Sequence, residues 1–132
     1  MAADGALLVL DTHAVVWWSL LPRHLGRRAA RVIDEADQLG VPAIVFWEVS
    51  LLVRKGKLSL GRPVAEWASL LCSIPRVEPL PLTAAIALRA DVLDMHPDPA
   101  DRFIVATAIE HGARLLTKDR LLRGLPFLET LW

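Results

Sequence analysis

The chain has 132 residues, 54% of them hydrophobic, which suits one domain with a proper core. Its fifteen basic and fifteen acidic side chains cancel, so passive nucleic-acid binding through bulk charge is excluded, although a local basic patch is not. Cys72 is the single cysteine, which rules out an intrachain disulfide and is compatible with a reducing compartment.

His13, His24, His96 and His111 show no paired ligand spacing, so structural zinc is set aside and each is read as a solvent-facing or hydrogen-bonded histidine. The stretch Met1-Ala2-Ala3-Asp4-Gly5 lacks the basic start of a secretory signal, and no apolar run approaches the roughly 20 residues that span a bilayer. A cytoplasmic protein without membrane association is therefore expected. The positive mean hydropathy and five tryptophans point to a surface buried against a partner or a second copy.

In chain order, strand-like apolar segments alternate with helix-like ones, the pattern of a parallel sheet with helices on its faces. Leu7–Leu10 reads as a buried first strand, and Asp11-Thr12 opens a helix through Val15, Trp17 and Trp18 that Pro22 stops. A second helix is predicted over Arg27–Ala36, a strand over Val41–Val45, and a helix over Phe46–Lys55 ended by Gly56. Pro63 starts a helix through Trp67, Leu70 and Leu71, while Pro75, Pro79 and Pro81 confine Arg76–Leu82 to an edge strand. Thr83 caps a helix reaching Leu93. Asp98-Pro99-Ala100-Asp101 carries the N-cap acid, first-position proline and third-position acid of a helix that His111-Gly112 ends. A buried strand over Ala113–Thr117, a helical turn over Asp119–Arg123 and a last strand over Phe127–Leu131 complete a single domain, 1–132, of the α/β class.

The acids carry the chemistry. Asp11 and Asp119 close apolar strands, Glu48 interrupts a nearly apolar stretch from Ala43 to Val53, and Asp101 sits in the first turn of an apolar helix. In an open α/β sheet such positions gather beyond the carboxyl ends of the strands, where ligands bind, and both Glu48 and Asp101 are expected in the first turns of their helices. Two carboxylates about 5 Å apart repel by roughly 3 kcal/mol at an effective dielectric of about 20, so several converging acids call for protonation or a cation. An all-oxygen set suits Mg²⁺ or Mn²⁺, ions that activate water and neutralise phosphate charge, which points to a nuclease or phosphohydrolase. Each acid also has a purely structural reading as a helix cap. Thr12 and Thr117 can hold a water or phosphate oxygen or merely cap, Asp98 can be an outer-shell acid or a cap, and Arg102 can contact a phosphate or form a surface ion pair. Arg54, Lys55 and Lys57 beyond Glu48, with Lys118, Arg120 and Arg123 around Asp119, can rim the acids with positive charge or simply be solvated. The tryptophans read as core or interface residues, and Arg23, Arg27, Arg28 and Arg31 as a basic stripe on a helix surface.

The ordered set Leu8-Val9-Leu10-Asp11-Thr12-His13-Ala14, Trp47-Glu48-Val49, Asp98 to Ala108 and Leu115-Leu116-Thr117-Lys118-Asp119 resembles the PIN-domain proteins, in particular the VapC-type toxins of toxin–antitoxin pairs. The likeness covers nearly the whole chain. It implies a three-layer α/β/α sandwich around a mostly parallel sheet and a Mg²⁺- or Mn²⁺-dependent endoribonuclease acting on RNA such as tRNA or rRNA. It also implies a homodimer and a cognate antitoxin that covers the acidic groove. Carried over residue by residue, it makes Asp11, Glu48, Asp101 and Asp119 the catalytic and metal-holding acids, with Thr12, Asp98, Arg102 and Thr117 as outer-shell or phosphate-contacting neighbours. The competing readings are a receiver-like Mg²⁺-binding signalling module, which normally has adjacent acids after its first strand where Leu10 precedes Asp11, and a non-catalytic PIN-fold partner-binding protein. A haloacid-dehalogenase-type phosphatase would carry an acid where His13 stands.

Overall fold

The computed structural model describes residues 7–132; the amino-terminal segment read above for a signal, and Ala6, lie outside the described residues. Five parallel strands, β1 (Leu7–Leu10), β2 (Gln38–Pro42), β3 (Val77–Leu80), β4 (Arg114–Leu116) and β5 (Thr130–Leu131), form one sheet in the order β3-β2-β1-β4-β5. Among the described residues, seven α-helices connect them: α1 (Thr12–Leu20), α2 (Gly26–Glu35), α3 (Ala43–Arg54), α4 (Val64–Cys72), α5 (Ala84–Val92), α6 (Pro99–Glu110) and α7 (Arg120–Arg123). The architecture is the expected α/β/α sandwich.

β1 is central because it can be buried on both faces. Leu8, Val9 and Leu10 have no exposed surface, and neither do Leu39, Val41, Leu115 and Leu116 on its neighbours, the continuous apolar runs that a parallel sheet covered by helices requires. A smaller cluster of Ile86, Ala90 and Ala106, with Leu93 and Phe103 against it, locks α5 to α6. Gly40 in β2 is a packing glycine, since a methyl group there would lie 2.7 Å from Leu80 Cδ1 on β3.

Most boundaries fall where the sequence places them, and the exceptions have physical causes. The strand expected over Val41–Val45 ends at Pro42, and α3 begins at Ala43 instead of Phe46. Pro42 stands at the N-cap of α3 with extended backbone, so the β-branched Ile44 and Val45 that look like strand residues are the first turn of a helix packed on the core. Glu48 consequently lies in the second turn of α3, not the first. β5 forms only at Thr130–Leu131, where β4 offers partners through Leu115 and Leu116. The edge strand is shorter than Arg76–Leu82, stopping at Leu80 before Pro81, which has no amide hydrogen to donate.

The strand order reverses at β1. The chain steps outward from β1 through β2 to β3, then crosses back to β4 and β5 on the other side. The crevice above the carboxyl ends of β1 and β4 is the switch point where open α/β sheets bind ligands.

Candidate active site

A cavity of about 400 Å³ opens at that switch point, and five acids line it: Asp11, Glu48, Asp98, Asp101 and Asp119. They arrive on four structural devices. Asp11 follows β1 and is the N-cap of α1, Glu48 projects from α3, Asp98 and Asp101 come from the start of α6, and Asp119 is the N-cap of α7 after β4. The four acids singled out from the sequence are thus brought together, with Asp98 beside them.

Asp11 is 4% exposed and hydrogen-bonded at both carboxylate oxygens. Its Oδ1 accepts from the Thr12 amide at 2.8 Å, and its Oδ2 accepts from the Thr117 hydroxyl at 2.6 Å. The Asp11 amide in turn donates to the Leu116 carbonyl at 3.1 Å, so side chain and backbone both tie the end of β1 to the end of β4. Thr117 Oγ1 also accepts from the Asp119 amide at 3.1 Å, which fixes the approach of the second strand-end acid. Asp119 Oδ1 accepts from the Leu121 amide at 2.8 Å, the ordinary work of an N-cap. Thr12 donates its hydroxyl to Glu48 Oε1 across α1 and α3. Thr12 and Thr117 therefore orient acids from positions buried inside the site.

Asp98 both caps and lines. Its carboxylate accepts from the Ala100 amide at 3.2 Å while facing the cavity. Arg102 goes elsewhere. Its guanidinium donates to the carbonyls of Ala90, Asp91, Leu93, Met95 and His96, closing the connection between α5 and α6, and it is not among the residues lining the acidic cavity. The expected phosphate contact is thereby replaced by a structural clamp, because the fork geometry of arginine matches a cup of converging carbonyls. Of the basic residues expected to rim the acids, Lys57 alone lines the cavity; Lys118 places its ammonium 5.5 Å from the centre of the Trp17 ring.

The electrostatics carry the mark of crowding. Burial, and then the charges of Asp11, Asp98, Asp119 and Glu48, push the Asp101 carboxyl up to about 8. Burial raises Glu48 as well, with Asp11 and Asp98 adding to it and the Thr12 hydrogen bond opposing. His96 Nε2 lies 3.4 Å from Asp101 Oδ2, buried and without a hydrogen-bond partner. Such a site gains from a cation, and its oxygen donors are the kind a hard divalent ion takes. Among the described residues no three Asp, Glu, His or Cys side chains are already gathered tightly enough to grip an ion. The open set fits a hard divalent ion that keeps part of its own water, as Mg²⁺ does, better than a closed protein cage.

Sequence reasoning undervalued His13. Its ring lines the cavity, accepts a hydrogen bond at Nε2 from the Lys118 amide at 2.9 Å, and turns Nδ1 towards Asp11 Oδ2 at 3.4 Å. Burial lowers its pKa against the opposing pull of Asp11 and Asp119. The signal was its place two residues after Asp11, on the first turn of the helix that Asp11 caps.

The family model described as the PIN domain matches residues 8–128. The chain belongs to the PIN-domain family. Among curated proteins, Ribonuclease VapC22 of Mycobacterium tuberculosis is 42% identical to this PIN-domain chain over 119 residues, covering 89% of it and 90% of the relative. Solved structures share the fold at lower identity. VapBC2 from Rickettsia felis bound to a promoter DNA fragment has a TM-score of 0.66 at 18% identity, over 95% of this chain and 97% of that one. VapC20 of Mycobacterium tuberculosis, described as a sarcin-ricin loop cleaving toxin, has a TM-score of 0.64 at 17% identity, over 92% and 98% of the two chains. A toxin–antitoxin complex from Klebsiella pneumoniae matches with a TM-score of 0.66 at 18% identity, over 95% and 96%.

Proposed function

We propose that this PIN-domain protein is an endoribonuclease, the toxin of a toxin–antitoxin pair, that hydrolyses RNA phosphodiester bonds with the help of Mg²⁺ or Mn²⁺. The observation that carries the reading is the meeting of Asp11, Glu48, Asp98, Asp101 and Asp119 in one cavity at the sheet's switch point, in a chain 42% identical to a ribonuclease over nearly its full length.

In this reading Asp11, Glu48, Asp101 and Asp119 would hold the ion. When bound, the ion supplies Lewis acidity, lowering the cost of forming the attacking hydroxide and of charge building on the phosphate. The chain's own residues do the rest. Thr117 and the Thr12 amide aim the Asp11 carboxylate, and Thr12 aims Glu48. Glu48, whose proton affinity burial raises, is the group suited to take the proton from the attacking water; Asp101, which keeps its own proton up to about 8 in the metal-free chain, would have to release it to hold the ion. Lys57, on the cavity wall, is placed to pair with a phosphate of an RNA strand entering the site.

A homodimer and a cognate antitoxin belong to the same proposal. Leu88 and Val92 on α5 are 72% and 75% exposed, as residues awaiting a protein partner would be. Among the described residues no helix is long and apolar enough to cross a membrane, and a substrate of cellular tRNA or rRNA would put the reaction in the cytoplasm. A receiver-like role is the weaker reading, because the acids surround an open cavity flanked by Lys57 and Trp17 instead of one isolated phosphate acceptor.

Purified protein incubated with total RNA should cleave it in Mg²⁺. Cleavage should vanish in EDTA, and the Asp11→Asn and Glu48→Gln variants should lose at least about a hundredfold in rate, the scale of removing a group that stabilises developing charge. Activity surviving EDTA and both substitutions would end the metal mechanism.

A further inference from the structure

We infer that His13 is a positioning residue that sets the orientation of the Asp11 carboxylate through a neutral ring protonated at Nδ1. The inference rests on the proposed function, since the aim of Asp11 matters to catalysis only if that carboxylate holds the ion.

The geometry determines the tautomer. Nε2 of His13 receives the Lys118 amide hydrogen at 2.9 Å, so that nitrogen carries no proton of its own. In a neutral imidazole the proton then sits on Nδ1, which faces Asp11 Oδ2 at 3.4 Å. The ring is a strut between two strand ends. One side is fixed to the backbone just beyond β4, and the other supports an acid just beyond β1.

Its freedom to turn is small. The ring packs at a tilt 5.1 Å from the Trp17 ring and edge-on 5.5 Å from the Trp132 ring, and those two tryptophans are 5.7 Å apart. A flipped ring would put carbon against the Lys118 amide and leave that donor without its acceptor. Asp11 Oδ2 thus accepts from the Thr117 hydroxyl at 2.6 Å on one side and has His13 Nδ1 in polar contact at 3.4 Å on the other. Oδ1, held by the backbone alone, is left with capacity towards the cavity. Partners of this kind fix the direction of a ligand's lone pairs, and losing one typically costs 10- to 100-fold in metal affinity.

Two substitutions separate the halves of the strut. Asparagine carries an amide nitrogen where His13 has Nδ1, and so keeps a donor for Asp11; glutamine reaches the Nε2 position, and so keeps an acceptor for Lys118. Nitrogen NMR of the metal-free wild-type protein should report protonated Nδ1 and bare Nε2 for His13. Calorimetric titration with Mn²⁺ should then show about tenfold or greater weakening for His13→Ala and His13→Gln, with His13→Asn within about threefold of wild type. A proton found on Nε2, or a His13→Asn protein that binds Mn²⁺ as poorly as His13→Ala, overturns the inference. Wild-type protein that shows the Nδ1 tautomer yet takes up no Mn²⁺ overturns the metal reading and the inference with it.

Discussion

At the residue scale, Asp101 shows what the site costs the fold. Its carboxyl keeps a proton up to about 8, against an ordinary aspartate value of 3.8, because ionisation would add charge to a partly buried space that other acids already face. The folded chain therefore binds this proton more tightly than the unfolded chain does. The associated stability is fully present below about pH 3.8 and is lost as pH rises through about 8. Asp101→Asn removes the penalty. The metal-free variant should melt on the order of 5 °C above wild type at pH 8.5, with the gap closing towards pH 4. Mn²⁺ should raise the wild-type melting temperature and leave the variant's nearly unchanged, since only a native state that binds the ion gains from it. Thermal melts across pH, with and without Mn²⁺, test both halves; a variant less stable than wild type at pH 8.5 would contradict the crowding argument.

At the element scale, the start of α6 carries two of the acids that line the cavity and depends on its supports. Asp98 caps the helix and Asp101 sits in its first turn, so the connection from α5 must be held still for either to point correctly. Arg102 does this by gathering five carbonyls from residues 90–96. A single ammonium cannot reach so many acceptors in different directions. Arg102→Lys is accordingly expected to lose about 2–4 kcal/mol of stability, nearly as much as Arg102→Ala, by leaving partly buried carbonyls unpaired. Chemical denaturation measures this; a lysine variant as stable as wild type would mean the clamp is dispensable. Elements with strong punctuation were legible in the sequence: Thr83 caps α5 by accepting from the Ile86 amide at 3.1 Å, and Pro99 opens α6 behind Asp98. The boundary at Pro42 was not. Val41, Ile44 and Val45 favour strand locally, and only the packing of α3 on the core, with Val45 and Val49 fully buried, decides where the helix begins.

At the scale of the whole molecule, a net charge of zero means that nucleic acid must be drawn by a few placed cations instead of an overall field. Lys57 is the one on the cavity wall. Lys57→Gln should raise KM for RNA by about three- to tenfold, leave Mn²⁺ affinity unchanged, and reduce the slope of log affinity against log salt by about one. RNA binding by the inactive Asp11→Asn protein, measured across a salt series with and without the Lys57 change, provides the reading. An unchanged slope would remove Lys57 from the substrate path.

The apolar runs of β1 and β4, the acids that close them, and the capped start at Asp98-Pro99 lie in contiguous stretches of chain. Local patterning therefore determined the α/β class, the identity of the acids and the family likeness. Which cation reaches the cavity, that Arg102 turns away to hold carbonyls, and that His13 spans two strand ends were decided only by tertiary structure. The His13 strut, like the bond of Asp11 with Thr117, joins residues about a hundred positions apart, and such pairings are set by the order in which strands assemble, which neighbouring residues along the chain do not encode.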